Sequence, residues 1–308
     1  MRTLRSPELH RNMGFWNDAT QQAILDTTVA IGGAGGAGYM VGLELARIGV
    51  QGFDIADPET FEEANGNRVF GVRTDTIGLN KAEVFRSDIL AINPEADVRV
   101  YNDGITRDNV IEFMSRADLV LDATELNMPD LGTMVCRESR RRGIPVLNVE
   151  YVGHGAQVTS FDPHSSFTFE RMMGLDETAS LDDIAQRTID SSRFLAYIPR
   201  YGDLTTLMAI QQGAPLPSNM IGAGTAAQLG VAEAVKHIRR RVGERHAKPT
   251  FAPWVRWYDP YSNTSGRTRF PRVSYYRHLA AAVALNKLGR HEPAAYSNEA
   301  RARRGDVD

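Results

Sequence analysis

The chain opens on polar residues and then sets a short β-branched and apolar run, 28–31, directly before a cluster of glycines. An apolar-periodic stretch, 39–48, follows, so the local order is strand, tight turn, helix. The same alternation continues. Gly52–Ala56 predicts a second strand ending in the acidic stretch Asp57, Glu59, Glu62 and Glu63, and Lys81–Ile92 a helix stopped by Asn93-Pro94. Asp97–Tyr101 predicts a third strand, 107–116 a helix and Leu119–Asp122 a fourth strand; a helical stretch around Cys136 closes at Gly143, and 145–149 predicts a fifth strand. This spacing predicts right-handed crossovers and an α/β, Rossmann-like fold, a mainly parallel sheet with helices on both faces.

The pattern changes after Glu150. Residues 157–161 predict an antiparallel strand, 162–199 an irregular or weakly helical segment, and 220–240 a helix that is rich in small residues at its start and amphipathic later. Residues 251–276 hold eight of the chain's 25 aromatic residues. The organisation expected is a leader and dimer segment at 1–27, a nucleotide-binding region at 28–162, a crossover segment with the glycine-rich helix at 163–250, and an aromatic-rich extension with antiparallel and helical additions at 251–308. The aromatics Trp254, Trp257, Tyr258, Tyr261, Phe270, Tyr275 and Tyr276 are read as a tail that seals the sheet or a dimer face, with a substrate pocket as the alternative.

Composition removes several classes. A formal net charge of −3 over 308 residues, with 24% charged and 42% hydrophobic, describes a globular chain with no electrostatic case for nucleic acid. No apolar run approaches the length of a signal peptide or a membrane span. The one cysteine, Cys136, excludes an intramolecular disulfide and any multi-cysteine zinc site, and points to a reducing cytoplasm.

The chemistry begins at the glycines. Gly33, Gly35, Gly36 and Gly38 lie between strand and helix at GxGxxG spacing, which lets backbone amides and a helix amino terminus meet a phosphate. Asp57, after the second strand, is placed to accept hydrogen bonds from a ribose. This much supports an adenine nucleotide without separating NAD from ATP. Three further side chains suit a triphosphate: Arg68 is a fixed fork for phosphate oxygens, Lys81 a point charge, and Asp122, ending a parallel strand, a hard oxygen ligand for magnesium.

The stretch from Asp57 to Arg68, DPETFEEANGNR, resembles the DxDxVxxSNLxRQ block of the ThiF/MoeB/ubiquitin-activating enzyme superfamily. Leu79-Asn80-Lys81-Ala82 with Ile92-Asn93-Pro94 is similar to its GxxKA and INP block, Leu121-Asp122-Ala123-Thr124 to its DxxDN block, and residues 221–236 to its glycine-rich helix ending in AxEAIK. Gln21 and Thr27 fall where the family has Gln and Ser before the first strand, so the resemblance spans roughly 10–240. It implies an adenylyltransferase that uses ATP and magnesium to adenylate a carboxylate, either the carboxyl terminus of a small protein or peptide or a small-molecule acid. Arg68, Lys81 and Asp122 take the phosphate and magnesium roles, Asn65 a phosphate or ribose contact, and Glu59 the place of the second acid. Arg11 matches an arginine that the other protomer contributes, which implies a homodimer. Asn67 and Val69 depart from the block around the arginine.

Other departures narrow the chemistry. Many relatives carry a nucleophilic cysteine in the crossover segment, but 162–217 has none, and Cys136 reads as a core thiol. A thioester relay is therefore not expected. His154, between two glycines after the fifth strand, reads as a binding or structural residue, and His164 as a weaker candidate for contact with the acyl acceptor. The rivals are an NAD-dependent oxidoreductase and a pseudo-enzyme subunit that binds nucleotide without turnover.

Overall fold

The computed structural model describes residues 2–124, 128–187, 195–197, 199, 201 and 217–270. One eight-stranded sheet organises it, in the order β3-β2-β1-β4-β5-β6-β7-β8. The strands are β1 (Thr28–Gly32), β2 (Gly52–Ala56), β3 (Asp97–Tyr101), β4 (Leu119–Asp122), β5 (Val146–Val152), β6 (Gly155–Phe161), β7 (Trp254–Asp259) and β8 (Thr264–Arg269). The first five are parallel, and β5/β6, β6/β7 and β7/β8 pair antiparallel. β1, β2, β4, β5 and β6 are buried almost throughout, as a sheet covered on both faces requires.

One face carries α1 (Asp18–Leu25), α2 (Gly36–Ile48), α3 (Lys81–Ile92) and α8 (Met220–Arg241). Its core stacks Tyr39 on Phe85 at 4.3 Å between ring centroids. The other face carries α4 (Val110–Phe113), α5 (Pro129–Arg142), α6 (Phe169–Met173) and α7 (Leu181–Ala185). Cys136 of α5 is buried in that second core, and burial pushes its thiol well up.

Several elements differ from the sequence reading for local reasons. α4 is four residues rather than the expected ten, because Thr106 and Asn109 bond each other's backbone N–H groups and hold the preceding turn out of the helix. β5 runs three residues further than expected, to Val152, because its tight turn at Gly153-His154 zips it to β6. The small-residue face of α8 is spent inside the chain: Ala223, Ala226 and Ala227 are fully buried, and a side chain on Gly230 would meet Val41 of α2 at 2.9 Å. The aromatic segment seals the sheet, since Trp254, Trp257 and Tyr258 lie on β7, Trp257 stacks on Tyr197 at 5.0 Å, and Phe270 is buried in the second core. Tyr275 and Tyr276 lie outside the described residues.

His237 of α8 is buried, its Nε2 at 2.8 Å from Ser160 Oγ, and burial pushes the imidazole down to about 4. The unfolded chain then binds one more proton than the folded one between about pH 6.5 and pH 4. Stability from this group is complete above the upper limit and is lost as pH falls toward the lower, on the order of 3 kcal/mol. Urea midpoints measured across that window should fall less steeply in His237→Gln than in the parent.

Candidate active site

The site forms where the sheet changes direction of winding, outside the carboxyl ends of β1 and β4. Gly32 and Asp122 are register partners there, and the connections on either side leave toward opposite faces. The chain turns sharply after β1. Gly33 has φ +93°, and a Cβ on it would lie 2.4 Å from the Ala123 carbonyl oxygen. A Cβ on Gly38 would lie 2.0 Å from the Gly33 carbonyl oxygen, so α2 folds back directly onto the turn that precedes it. Gly35 caps α2 without a side-chain hydrogen bond, and among the described residues nothing beyond its chain neighbours and its own helix backbone stands within 4 Å of where its Cβ would be. The result is an open cradle backed by a helix amino terminus.

Asp57 braces this cradle. It is buried, Oδ2 accepts from Ala34 N at 2.6 Å and Oδ1 from Glu59 N at 2.8 Å. Burial pushes its carboxyl up, and those two amides oppose the shift. Asn80, part of the Leu79–Ala82 block but given no role of its own by the sequence, caps α3 by accepting from Ala82 N and Glu83 N and donates to the Asp57 carbonyl oxygen at 3.1 Å. That tie sets Lys81, the first residue of α3, beside the loop. Lys81 is buried and its ammonium pairs with Glu59, whose side chain is 62% exposed.

Arg68 approaches from the β2–α3 connection. Its backbone oxygen packs at the start of α2, 3.2 Å from a Cβ built on Gly36, and its guanidinium donates to Ala64 O and Asn67 Oδ1, both at 2.9 Å. Asn67 in turn donates to Ser218 O at 2.7 Å, just before α8. Asn65 is buried inside this connection and serves it, its side chain accepting from Glu62 N.

Asp122 is buried at the end of β4. Its Oδ1 accepts from Thr124 N and Thr124 Oγ1 at 3.2 and 2.7 Å, and burial pushes the carboxyl up. Among the described residues no cluster of three or more His, Cys, Asp or Glu could hold a metal. A single carboxylate fits an ion that brings most of its own ligands as water and phosphate, which is how magnesium is usually held.

The structure thus ties Asp57 to the glycine loop and, through Glu59, to Lys81, sets Asp122 beside Gly32, and brings the Arg68 backbone oxygen to the start of α2, while the Arg68 guanidinium is engaged by Ala64 O and Asn67 and Asn65 is scaffold. Arg11 is elsewhere. It is exposed on a 3-10 helix, Pro7–Asn12, fastened by Asn12 to Ile48 O and by Gln21 to the same oxygen. That is the carboxyl end of α2, about 20 Å from the glycine loop. His164 is also remote. It lines a cavity of about 480 Å³ at the amino edge of the sheet, with His237, Arg240 and Phe251. His154 does lie at the carboxyl edge, its ring against Tyr201 and Tyr261 at 4.9 and 5.0 Å and its Nδ1 at Asn219, the cap of α8. The sequence reading missed one feature of β5: Asn148, partner of Asp122 in register, and Glu150 share a face in an otherwise apolar strand. An acid inside such a run was the available signal.

Sheet order, winding and loop together define a Rossmann-like α/β protein. The profile of the ThiF family matches residues 9–277, and the chain belongs to that family. It is 32% identical over 145 residues to tRNA threonylcarbamoyladenosine dehydratase of Escherichia coli (strain K12), covering 47% of this chain and 53% of that protein. To the sulfur carrier protein ThiS adenylyltransferase of the same organism it is 28% identical over 148 residues, 46% of this chain and 56% of the relative. The chain thus spans about half the length of these curated relatives. Among solved structures, E. coli MccB with ATP superposes with a TM-score of 0.63 at 17% identity, over 87% of this chain and 72% of MccB, a likeness of fold. Among the described residues no helix is long and apolar enough to cross a membrane.

The glycines separate cleanly in what they do. Gly38→Ala should lower the melting temperature markedly, because the new Cβ collides with backbone that cannot move aside, whereas Gly35→Ala should melt within about 0.5 kcal/mol of the parent. Differential scanning fluorimetry on the two variants checks both outcomes.

Proposed function

We propose that this protein adenylates a carboxylate with ATP and magnesium, releasing pyrophosphate. The observation that carries the reading is the glycine cradle at the switch point of the sheet, braced by Asp57 and flanked by Asp122 beside Gly32 and by the buried Lys81. Membership of the ThiF family supports it, as do relatives named as adenylyltransferases.

In this reading an oxygen of the carboxylate attacks the α-phosphorus, and the bond to the bridging oxygen of the leaving pyrophosphate breaks. Negative charge then grows on the bridging and equatorial oxygens. Lys81 meets it as a buried ammonium whose partner Glu59 stands largely in solvent and can give the cation up to phosphate. Arg68 would turn its guanidinium from Ala64 O and Asn67 Oδ1 to the same oxygens. The free amides at the start of α2 hold the phosphates, and Asp57 keeps that loop in shape and the ribose in reach. Asp122 would hold magnesium, which supplies charge neutralisation across the phosphates when bound.

The adenylate would then pass to an amine, sulfur donor or internal amide without a cysteine relay. Cys136 is the chain's one cysteine, and it is buried among the helices of the second core with its thiol pushed up by burial. We place the protein in the cytoplasm as a homodimer that does not use nucleic acid as substrate. Arg11, exposed and a helix length from its own loop, would in this reading serve a neighbouring protomer.

Carboxylate-dependent ATP–pyrophosphate exchange should fall by about 10²- to 10³-fold in Lys81→Ala, whose fold stays intact, and stay near the parent rate in Cys136→Ala. Tight calorimetric binding of NAD with none of ATP would instead favour an oxidoreductase. A second expectation concerns the dimer. Arg11→Ala and Lys81→Ala should each be nearly inactive, while mixed heterodimers should regain about one working site, since one site then has both cations and the other neither. Verified heterodimers without recovered exchange would remove Arg11 from the site.

A further inference from the structure

The side chain of Tyr151 ends where the phosphate cradle begins. Tyr151 follows Glu150 on β5 and so points to the opposite face of the sheet, against the core that α2 and α8 share. Its ring packs on the first turn of α8, since a Cβ on Gly222 would lie 3.2 Å from Tyr151 Cδ2. Its hydroxyl reaches the first residue of α2, 3.0 Å from where a Cβ on Gly36 would stand. Ala223 Cβ and the Arg68 carbonyl oxygen come to the same point at 3.1 and 3.2 Å. A helical Cα–Cβ bond tilts toward the amino terminus, so an oxygen held beside that of Gly36 lies near the opening amides of α2 and not along its flank.

Nothing in the fold engages this hydroxyl. Among the described residues it makes no hydrogen bond. Tyr151 is half-buried and its oxygen is not one of the enclosed polar atoms, so solvent reaches it. Other tyrosines of the interior are occupied: Tyr39 donates to Asp88, Tyr197 donates to Val152 O, and Tyr201 accepts from His154 N. The Tyr101 hydroxyl also lacks a partner, but it is shut away where its ring meets Phe113 in the second core. Packing accounts for the Tyr151 ring and leaves its hydroxyl without a reason, because phenylalanine would fill the same space.

A phosphate received by the opening amides of α2 would stand beside that hydroxyl. We propose that Tyr151 is a phosphate-binding residue of the site, its hydroxyl donating to a phosphate oxygen of bound ATP on the side where the Arg68 backbone crosses α2. The inference rests on the adenylation reading and adds a donor from β5 to those of the glycine loop. The group brings no charge, yet a hydrogen bond to a charged phosphate oxygen is stronger than one between neutral partners.

Tyr151→Phe removes the oxygen and keeps the ring. The full chain is titrated by calorimetry with ATP and magnesium, and with adenosine in competition against ATP. Tyr151→Phe should bind ATP about 10- to 100-fold more weakly than the parent, the scale of one hydrogen bond to a charged group, and adenosine equally well. ATP bound equally by both proteins overturns the proposal. So does a loss shared by ATP and adenosine, which is the mark of a disturbed ring. A fluorotyrosine at position 151 keeps the hydroxyl and reads the contact without removing it. Its fluorine resonance should shift on adding ATP and stay in place on adding adenosine, and a resonance unmoved by ATP also overturns the proposal. Each of these failures leaves adenylation standing if the parent still exchanges pyrophosphate. A parent that binds no ATP would count against adenylation itself and the inference with it.

Discussion

The approach of α2 to its own preceding turn governs the rest of the site. With only hydrogen at Gly38, the helix starts directly against the Gly33 carbonyl, and its first amides are delivered to the edge of the sheet rather than beyond it. Everything else is placed relative to that start. Asp57 grips the loop from β2, Arg68 lays its backbone across the first turn of α2, and Asn80 draws Lys81 toward the same point. Such a site consists mostly of backbone, held by packing on both faces of a buried sheet. Its geometry is therefore as rigid as the core beneath it.

Electrostatically, the crevice sets charges of opposite sign in different surroundings. Asp57 and Asp122 are buried with their carboxyls pushed up by lost hydration, whereas Glu59 is open to water beside the buried ammonium of Lys81. The buried acids are steadied mainly by amides and hydroxyls, with the Lys81 charge also acting on Asp57. Gln21 shows the opposite use of a buried polar group. Its amide accepts from Asn12 and Trp16 and donates to Ile48 O, and so fastens the amino-terminal segment far from the crevice.

The parallel half of the fold was legible because each strand there is a short apolar run bounded by a turn signal. β2, β3, β4 and α3 have the bounds that their sequence patterns predict. That the glycine loop, Asp57 and Asp122 fall at one edge of the sheet was legible through spacing, since a chain that alternates strand and helix brings successive carboxyl ends to one edge. Asn65 fell in the right connection, but its burial and its bond to Glu62 N are matters of local turn geometry that spacing does not carry. His164 was misplaced because an antiparallel strand, β6, intervenes and carries the chain to the far edge. Asn148 and Glu150 escaped notice because their meaning depends on Asp122 and Gln157, which become neighbours only through strand pairing.

The reversal at β5–β6 has an evolutionary corollary. From that point the strands alternate in direction, so the β5–β6 and β7–β8 turns both emerge at the edge where the crevice lies, and there His154 of the first meets Tyr261 of the second. Neither turn belongs to the loops that carry the glycines, Asp57, Arg68, Lys81 and Asp122. Lengthening a surface turn costs little in loop closure, since each doubling adds only about 0.6 kcal/mol. Two hairpin tips can therefore drift in length and sequence and reshape the entrance while the cradle stays fixed, which makes the antiparallel half the adjustable part of an otherwise constant machine.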